Sequence, residues 1–313
     1  MIKENTVFIL GAGASKPYGF PTGANLRNYI CKEFPEKYSK LFEGSGHAKF
    51  ASAENFSDAF FKSSTPSIDL FLSRNPNYSD IGKIAIVMGI LEAEEQSVFR
   101  EDVEEPIFDW YSYLFHRMTK DLILSDGIKG FGANKVSFVT FNYDRSLEHF
   151  FMESLVNSFG EAGAVHLSEL RKIEIIHVYG KVDQLPWEIS DKKTPTPYRG
   201  DYSYDMVERM AGNIKTIHEI SNQKNEKIER LIASANRNFF LGFGYAEENL
   251  HAIGIPKLLD GMQKIYGTAQ GLVDKEIQSI RATLSQNFRT KDPALNNPRI
   301  KDHDCLMLLR KYL

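Results

Sequence analysis

The chain has 313 residues, 42% hydrophobic and 25% charged, with a formal net charge of −3. That is the make-up of a globular protein with enough chain for one large domain or two small ones, and its near balance of charge excludes the basic footprint of a DNA- or anionic-membrane-binding surface. Its two cysteines, Cys31 and Cys305, stand far apart, which excludes a disulfide framework and predicts a reduced, cytoplasmic setting. Met1-Ile2-Lys3-Glu4-Asn5 leads directly into a strand-like run, so no signal peptide is expected. The longest apolar stretch, Ile84 to Leu91, falls far short of the roughly 20 residues that span a bilayer.

Val7-Phe8-Ile9-Leu10 is a continuous apolar run ending at Gly11, and it predicts a central parallel strand buried on both faces. Gly11 and Gly13 then permit a tight turn and a close backbone approach. Gly19-Phe20-Pro21-Thr22-Gly23 predicts a loop, with Thr22 capping a helix from about Gly23 to Phe34. Residues 35–130 change character. Gly44-Ser45-Gly46 and Ser63-Ser64-Thr65-Pro66 punctuate helical periodicity, and Ile107, Trp110, Tyr111, Leu114, Phe115, Met118 and Leu122 share one helical stripe. This region predicts a mainly helical module inserted after the first strand. A second strand is expected over Val136 to Phe141, with Leu147, Phe150, Phe151 and Leu155 marking the helix behind it. Ile173 to Ile176 predicts a third strand, and Ile228, Leu231, Ile232 and Ala235 a helix. Phe239 to Leu241 and Lys264 to Gly267 predict two more strands, followed by a helix from about Asp274 to Leu284. Strands alternating with helices predict an α/β fold, a parallel sheet covered on both faces, built from 1–34 and 131–313 around the inserted 35–130. Two Pro-rich segments, Leu185 to Tyr204 and Asn287 to Asp302, interrupt it, and the first is a candidate lid.

Several segments stand just after predicted strands, where open α/β sheets bind ligands. Gly11-Ala12-Gly13-Ala14-Ser15 reads either as a phosphate loop, with backbone N–H groups and the Ser15 hydroxyl as donors, or as a glycine turn between strand and helix. Lys16 stands where the dinucleotide fingerprint has its third glycine, so an ordinary dehydrogenase fits poorly. Thr140-Phe141-Asn142-Tyr143-Asp144 offers an amide that donates and accepts and a fixed carboxylate; its other reading is a helix cap, Asp144 ahead of Leu147. His177-Val178-Tyr179-Gly180 follows the next strand. Residues two apart in a strand share a face, so His177 either reaches the pocket or packs elsewhere. Gly242-Phe243-Gly244-Tyr245-Ala246-Glu247-Glu248-Asn249 follows the fourth strand, and also reads as a turn with acids at a helix start. In Ser67-Ile68-Asp69-Leu70-Phe71-Leu72, the apolar residues read as core and Asp69 as an exposed helix acid or a group behind a site.

Together these segments resemble the sirtuin family and its zinc-free bacterial sirtuin-like branch, best known for consuming NAD in antiphage defence. Gly11 to Ser15 followed by Gly19-Phe20-Pro21 is similar to the sirtuin loop that wraps the dinucleotide. Thr140 to Asp144 is similar to the Thr-x-Asn-Tyr-Asp of the bacterial branch. Gly242 to Asn249 resembles the segment beside the adenosine, with Glu247 where the family has Asp, and Ile68 to Leu72 resembles a family Ile-Asp-x-Phe-Leu. Sirtuins place a basic His directly before the motif Gly; here that position is Tyr179, ahead of Gly180, and the nearest His is His177. Two cysteines cannot supply the four thiolates of the structural zinc site found in protein-deacetylating sirtuins.

The resemblance implies a Rossmann-like doubly wound sheet, NAD as substrate, and no metal. It implies an NAD glycohydrolase that releases nicotinamide and ADP-ribose through an oxocarbenium-like transition state. In that reading Asn142 positions the ribose and attacking water, Asp144 orients the ribose or holds the loop, and His177 takes a proton. Gly11, Gly13 and Ser15 bind the pyrophosphate, Gly242 and Asn249 lie near the adenosine, and Ala12, Pro21, Thr140, Tyr179, Gly180 and Gly244 complete the NAD-binding set. The family further implies a trigger, through homo-oligomerisation or a partner subunit such as a HerA-type ATPase, with no nucleic acid or membrane involved. The rival expectations are a catalytically silent NAD or ADP-ribose sensor and, behind it, an NAD-dependent deacylase.

Overall fold

The computed structural model describes residues 1–42, 50–99, 109–122, 130–160, 164–188, 195–289 and 297–313; Gly44-Ser45-Gly46 and Ile107 lie outside them. Six strands form one sheet: β1 (Thr6–Leu10), β2 (Val136–Thr140), β3 (Glu174–His177), β4 (Arg237–Leu241), β5 (Lys264–Thr268) and β6 (Arg299–Lys301). The order is β3-β2-β1-β4-β5-β6, and every pairing is parallel. All residues of β1 and β4 are buried, so the middle of the sheet is covered on both faces, as continuous apolar runs require. One register line carries a row of rings. Phe8 lies opposite Phe138 and Phe239, and Phe239 opposite Tyr266, with centroid separations of 5.3, 5.4 and 4.7 Å. The result is the α/β, Rossmann-like sheet that the alternation of apolar runs predicts.

In chain order the helices are α1 (Ala12–Ser15), α2 (Gly23–Lys32), α3 (Phe34–Phe42), α4 (Phe50–Lys62), α5 (Ile68–Arg74), α6 (Ser79–Glu95), α7 (Trp110–Thr119), α8 (Ser146–Phe159), α9 (Ala164–Leu170), α10 (Tyr204–Ala211), α11 (Asn222–Ser234), α12 (Glu247–Ala252), α13 (Asp274–Leu284) and α14 (Cys305–Tyr312). Thr22 caps α2 by accepting from the Asn25 N–H, as expected of a Thr at that position. Helices α2 to α6 pack on one another, and α10 lies on α6, whereas α7 packs on α8 and α14. Helix α6 is apolar nearly all round, with Ile84, Ala85, Ile86, Val87, Ile90 and Leu91 buried, the pattern of a helix enclosed by others. Among the described residues, no helix is long and apolar enough to cross a membrane. The Pro-rich segment from Asn287 to Asp302 holds one element that the sequence does not predict. Strand β6 has three residues, of which only Ile300 is fully buried, too short for a periodicity to register.

One buried ion pair ties the helices to the sheet. Glu94, at the end of α6, and Arg145, before α8, are both wholly buried. The guanidinium grips the carboxylate as a fork, Nε to Oε2 at 3.0 Å and Nη2 to Oε1 at 2.7 Å, and also donates to the carbonyls of Thr196 and Pro197. Glu94 in turn accepts from the Arg199 N–H and the Tyr202 hydroxyl. The described part of the candidate lid is therefore anchored to the body of the protein. Cutting one member strands the other charge in the interior, so Glu94→Ala is expected to cost about 3–5 kcal/mol of unfolding free energy. Urea denaturation measures this, and a loss below about 1 kcal/mol would show that the pair is not structural.

Candidate functional site

The strand order changes direction at β1: the chain lays β2 and β3 to one side, then returns to place β4 to β6 on the other. Beyond the carboxyl ends of the strands at such a point a crevice opens. A cavity of about 510 Å³ occupies it, within the range of small-molecule and cofactor sites. Every strand end contributes to the wall: Gly11 to Gly13 after β1, Phe141 to Asp144 after β2, Tyr179 after β3, Gly242 to Gly244 and Asn249 after β4, Thr268 to Gln270 after β5, and His303 to Cys305 after β6. Lys16, Pro21 and Asp69 are among the other residues that line it.

The loops after β1 and β4 meet backbone to backbone. The Gly13 N–H donates to the Gly242 carbonyl at 3.0 Å, and the Gly242 N–H to the Thr268 hydroxyl at 2.8 Å. A Cβ on Gly11 would lie 2.6 Å from the Gly242 oxygen, and one on Gly13 2.9 Å from the Gly242 Cα. Glycine is therefore needed for close packing of the two loops. The Gly13 N–H, expected as a phosphate donor, is already engaged in that packing.

Asn142 is the most constrained polar group of the wall. Its N–H donates to the Thr140 hydroxyl at 3.1 Å, its Nδ2 to the Ser15 hydroxyl at 2.8 Å, and its carbonyl lies 2.8 Å from His177 Nδ1. Its Oδ1 is buried and has no partner among the described residues. Phe141 links the neighbouring loops, its ring 5.5 Å from that of Tyr179 and 5.2 Å from that of Phe243. Tyr179 donates its hydroxyl to Asn249 Oδ1 at 2.8 Å. Burial raises the Tyr179 pKa, so the hydroxyl stays a neutral donor. Asp144 stands in the wall, and its Oδ1 accepts from the Ser146 N–H and hydroxyl; the N-cap of α8 is Arg145, one residue later than the expected cap. Burial raises its pKa, against the hydrogen bonds from Ser146 and Ser15.

Of the residues expected at the site, Gly11, Ala12, Gly13, Pro21, Asn142, Asp144, Tyr179, Gly242, Gly244 and Asn249 line one cavity. Ser15 and Thr140 stand behind it, holding Asn142. Gly180 turns the chain at φ 78° with its Cα against the Asn213 carbonyl, outside the wall. His177 requires a correction as the expected base. Its Nδ1 meets the Asn142 carbonyl and its Nε2 the Glu148 carboxylate at 2.7 Å, both acceptors, so neither ring nitrogen is left to take a proton in the cavity. The reason is local. Strand β3 ends at His177, and Tyr179 lies in the turn beyond it, where the two-residue period no longer holds. Glu148 is buried, which penalises its charge, but Lys181 and His177 outweigh this and hold its carboxyl well below the usual range. Lys181 lies 2.7 Å from it and bridges on to Glu188.

Sequence reasoning undervalued Asp69 and missed Lys16, Gln270, His303, Asp304 and Cys305. The Asp69 signal was present in the Ile-Asp-x-Phe-Leu segment; the others carry no local motif. The Tyr143 hydroxyl donates to Asp69. Burial pushes the Asp69 carboxyl up to about 6, with that hydrogen bond opposing the rise. Burial also pushes the Cys305 thiol up to about 12, leaving it protonated. Among the described residues no group of three or more His, Cys, Asp or Glu side chains is placed to hold a metal ion.

No family model matches the chain, and no curated protein matches it. Solved structures similar to it include Sir2 in complex with an inhibitor, 2'-O-acetyl-ADP-ribose and a deacetylated p53 peptide, at 12% identity over 98% of this chain and 91% of that one, with a TM-score of 0.40. A histidine-to-alanine variant of Sir2 with deacetylated p53 peptide and 3'-O-acetyl ADP-ribose is similar at 13% identity over the same shares, with a TM-score of 0.41.

The geometry makes His177 a support for Asn142 and a partner for Glu148. His177→Ala is expected to lower stability by about 1–3 kcal/mol, the cost of leaving buried acceptors unpaired. Thermal or urea unfolding reads this, and a variant as stable as wild type would remove His177 from the network.

Proposed function

We propose that this chain is a sirtuin-like NAD+ glycohydrolase that cleaves NAD+ to nicotinamide and ADP-ribose. The observation that carries the reading is the Asn142 side chain, fixed on its nitrogen by Ser15 while its buried oxygen has no partner among the described residues. It stands in the wall of a cavity at the point where a 3-2-1-4-5-6 sheet binds dinucleotides. A buried acceptor without a donor calls for a ligand or water to supply one. Asn142 Oδ1 would accept from a ribose hydroxyl or from the attacking water and so hold it at the anomeric carbon. Nicotinamide leaves a cation as a neutral pyridine, so no strong acid is required. The work is positioning and exclusion of bulk water. Lys16 supplies positive charge beside the Gly11 loop for the pyrophosphate. The motif resemblance extends the proposal to a triggered effector of bacterial antiphage defence that depletes cytoplasmic NAD, as a homo-oligomer or with a partner such as a HerA-type ATPase.

One observation favours a second reading, a silent NAD or ADP-ribose sensor: the histidine expected as base is turned to Asn142 and Glu148.

Chromatography of nicotinamide and ADP-ribose, with calorimetric NAD binding on the same samples, tests both. Asn142→Ala is expected to lower turnover by about 100-fold or more, the scale of one lost transition-state contact, with NAD affinity within a few-fold of wild type. Gly242→Ala is expected to lose NAD binding, because its Cβ would collide with Gly13 and Ala14. Unchanged turnover in Asn142→Ala defeats the role given to Asn142, and a folded wild type that neither binds nor turns over NAD defeats the hydrolase assignment. Tight binding by wild type without turnover leaves the sensor and an enzyme awaiting its trigger, and toxicity on co-expression with neighbouring genes separates the two.

A further inference from the structure

We infer that the Asp69 carboxylate is the proton acceptor of the cavity and that Tyr143 tunes it. The inference rests on the hydrolase reading above. Asp69 stands in the first turn of α5, whose start is fixed by Ser67 accepting from the Leu70 N–H at 3.2 Å. It shares the cavity wall with Asn142, and Tyr143, the residue after Asn142, donates its hydroxyl to Asp69 Oδ1. Its own backbone N–H is the other donor that bears on the carboxylate, which leaves acceptor capacity for a water.

The other titratable groups of the wall are engaged. Asp144 holds the start of α8 through Ser146. Asp304 caps α14 by accepting from the Met307 N–H at 2.7 Å. Tyr179 donates to Asn249, and burial keeps it protonated. Burial likewise keeps the Cys305 thiol protonated. The exposed His303 has Nδ1 against the Asp302 carbonyl, 2.7 Å away, which leaves Nε2 open, but it follows β6, four places along the sheet from β2, at whose end Asn142 stands; Lys16 is a cation. His177 and Glu148 are spent on each other behind the wall. Asp69 therefore remains as the base. Burial brings it to about 6, close to the working pH at which a general base is most effective.

The step balances. A water oxygen bonds to the anomeric carbon while the bond from that carbon to the nicotinamide nitrogen breaks, its electron pair passing to the pyridine. The water proton goes to Asp69 and from there to solvent, so NAD+ and water give ADP-ribose, nicotinamide and one proton. The groups that bear on Asp69 are Tyr143, Tyr179 and Glu248. Elements packed against α5 add Tyr78, Asp80, Lys83, His218 and Glu219, of which Lys83 and Glu219 pair with each other at 2.8 Å.

The sign follows. A carboxylate raised by burial is the active form only above its pKa, so kcat/KM should fall as the pH drops through about 6. The Tyr143 bond favours the charged form, so Tyr143→Phe should move that limb upward by roughly one pH unit. Asp69→Asn should lower turnover by about 100-fold or more and abolish the limb, with NAD affinity preserved. A stability readout runs beside it. The buried charge weakens the folded state as the pH rises from about 4, the unfolded value, to about 6. Asp69→Asn should therefore gain thermal stability over wild type above pH 6 and match it near pH 4. The experiment is a pH profile of nicotinamide release and of melting temperature for the full chain and both variants, with NAD binding measured on each. Turnover with an unshifted acid limb in Tyr143→Phe, or with the limb retained in Asp69→Asn, overturns the inference and leaves the hydrolase standing. Wild type that binds NAD without turnover at any pH, and is not toxic on co-expression with its neighbouring genes, overturns the hydrolase reading, and this inference with it.

Discussion

The contact between the loops that end β1 and β4 is the constraint on which the rest of the site depends. Neighbouring strands run about 4.8 Å apart, so the chain leaving β1 at Gly11 meets the chain leaving β4 at Gly242 with no room for a side chain between them. The Gly13 N–H closes the contact on the Gly242 carbonyl, and Gly242 adopts φ 56° to make it, a conformation that glycine takes at little cost. The cavity lies beside this junction, and Gly11, Gly13 and Gly242 line it. That shape suits an extended polar ligand lying across the strand ends.

Around this junction the protein holds Asn142 through both its backbone and its side chain. Asn142 is fixed through its N–H, its carbonyl and its amide nitrogen, by Thr140, His177 and Ser15 respectively. The groups that fix it are buried and bonded onward, His177 to Glu148 and Glu148 to Lys181. A side chain held this way loses little entropy when a ligand arrives, which is how a supporting layer of hydrogen bonds gives a site its precision. The same short stretch of chain also carries Arg145, whose pairing with Glu94 locks the helices on α6 to the sheet. Residues 140–148 thus serve the cavity and the fold together.

Much of this was legible without coordinates. The apolar runs at Val7, Val136, Ile173, Phe239 and Ile265 are long enough to announce five strands, and their turns are marked by glycine, asparagine and aspartate. Strand β6 was not legible, because a three-residue edge strand with a single fully buried side chain leaves no pattern. Asp144 shows that one residue can carry two kinds of contact, since it binds Ser146 in the first turn of α8 and stands in the cavity wall. His177 and Tyr179 show where periodicity stops: spacing by two predicts a shared face only while the strand continues, and the strand ends between them.

The sequence by itself determined the alternation that makes a parallel sheet, the glycines where two loops must touch, and the placing of polar residues at strand ends. Those features are local, written in propensity and spacing. Only the tertiary structure decided which polar groups face the cavity. An acid in the first turn of a helix is locally favourable wherever the helix lies, so Asp69 reads as an ordinary surface acid. It becomes part of the site because Tyr143, 74 residues away, folds over it. His177 looks catalytic by its neighbours in sequence and is made structural by Glu148, 29 residues on the other side. Local patterning sets which way the chain turns, but burial and partner are properties of what the fold brings alongside.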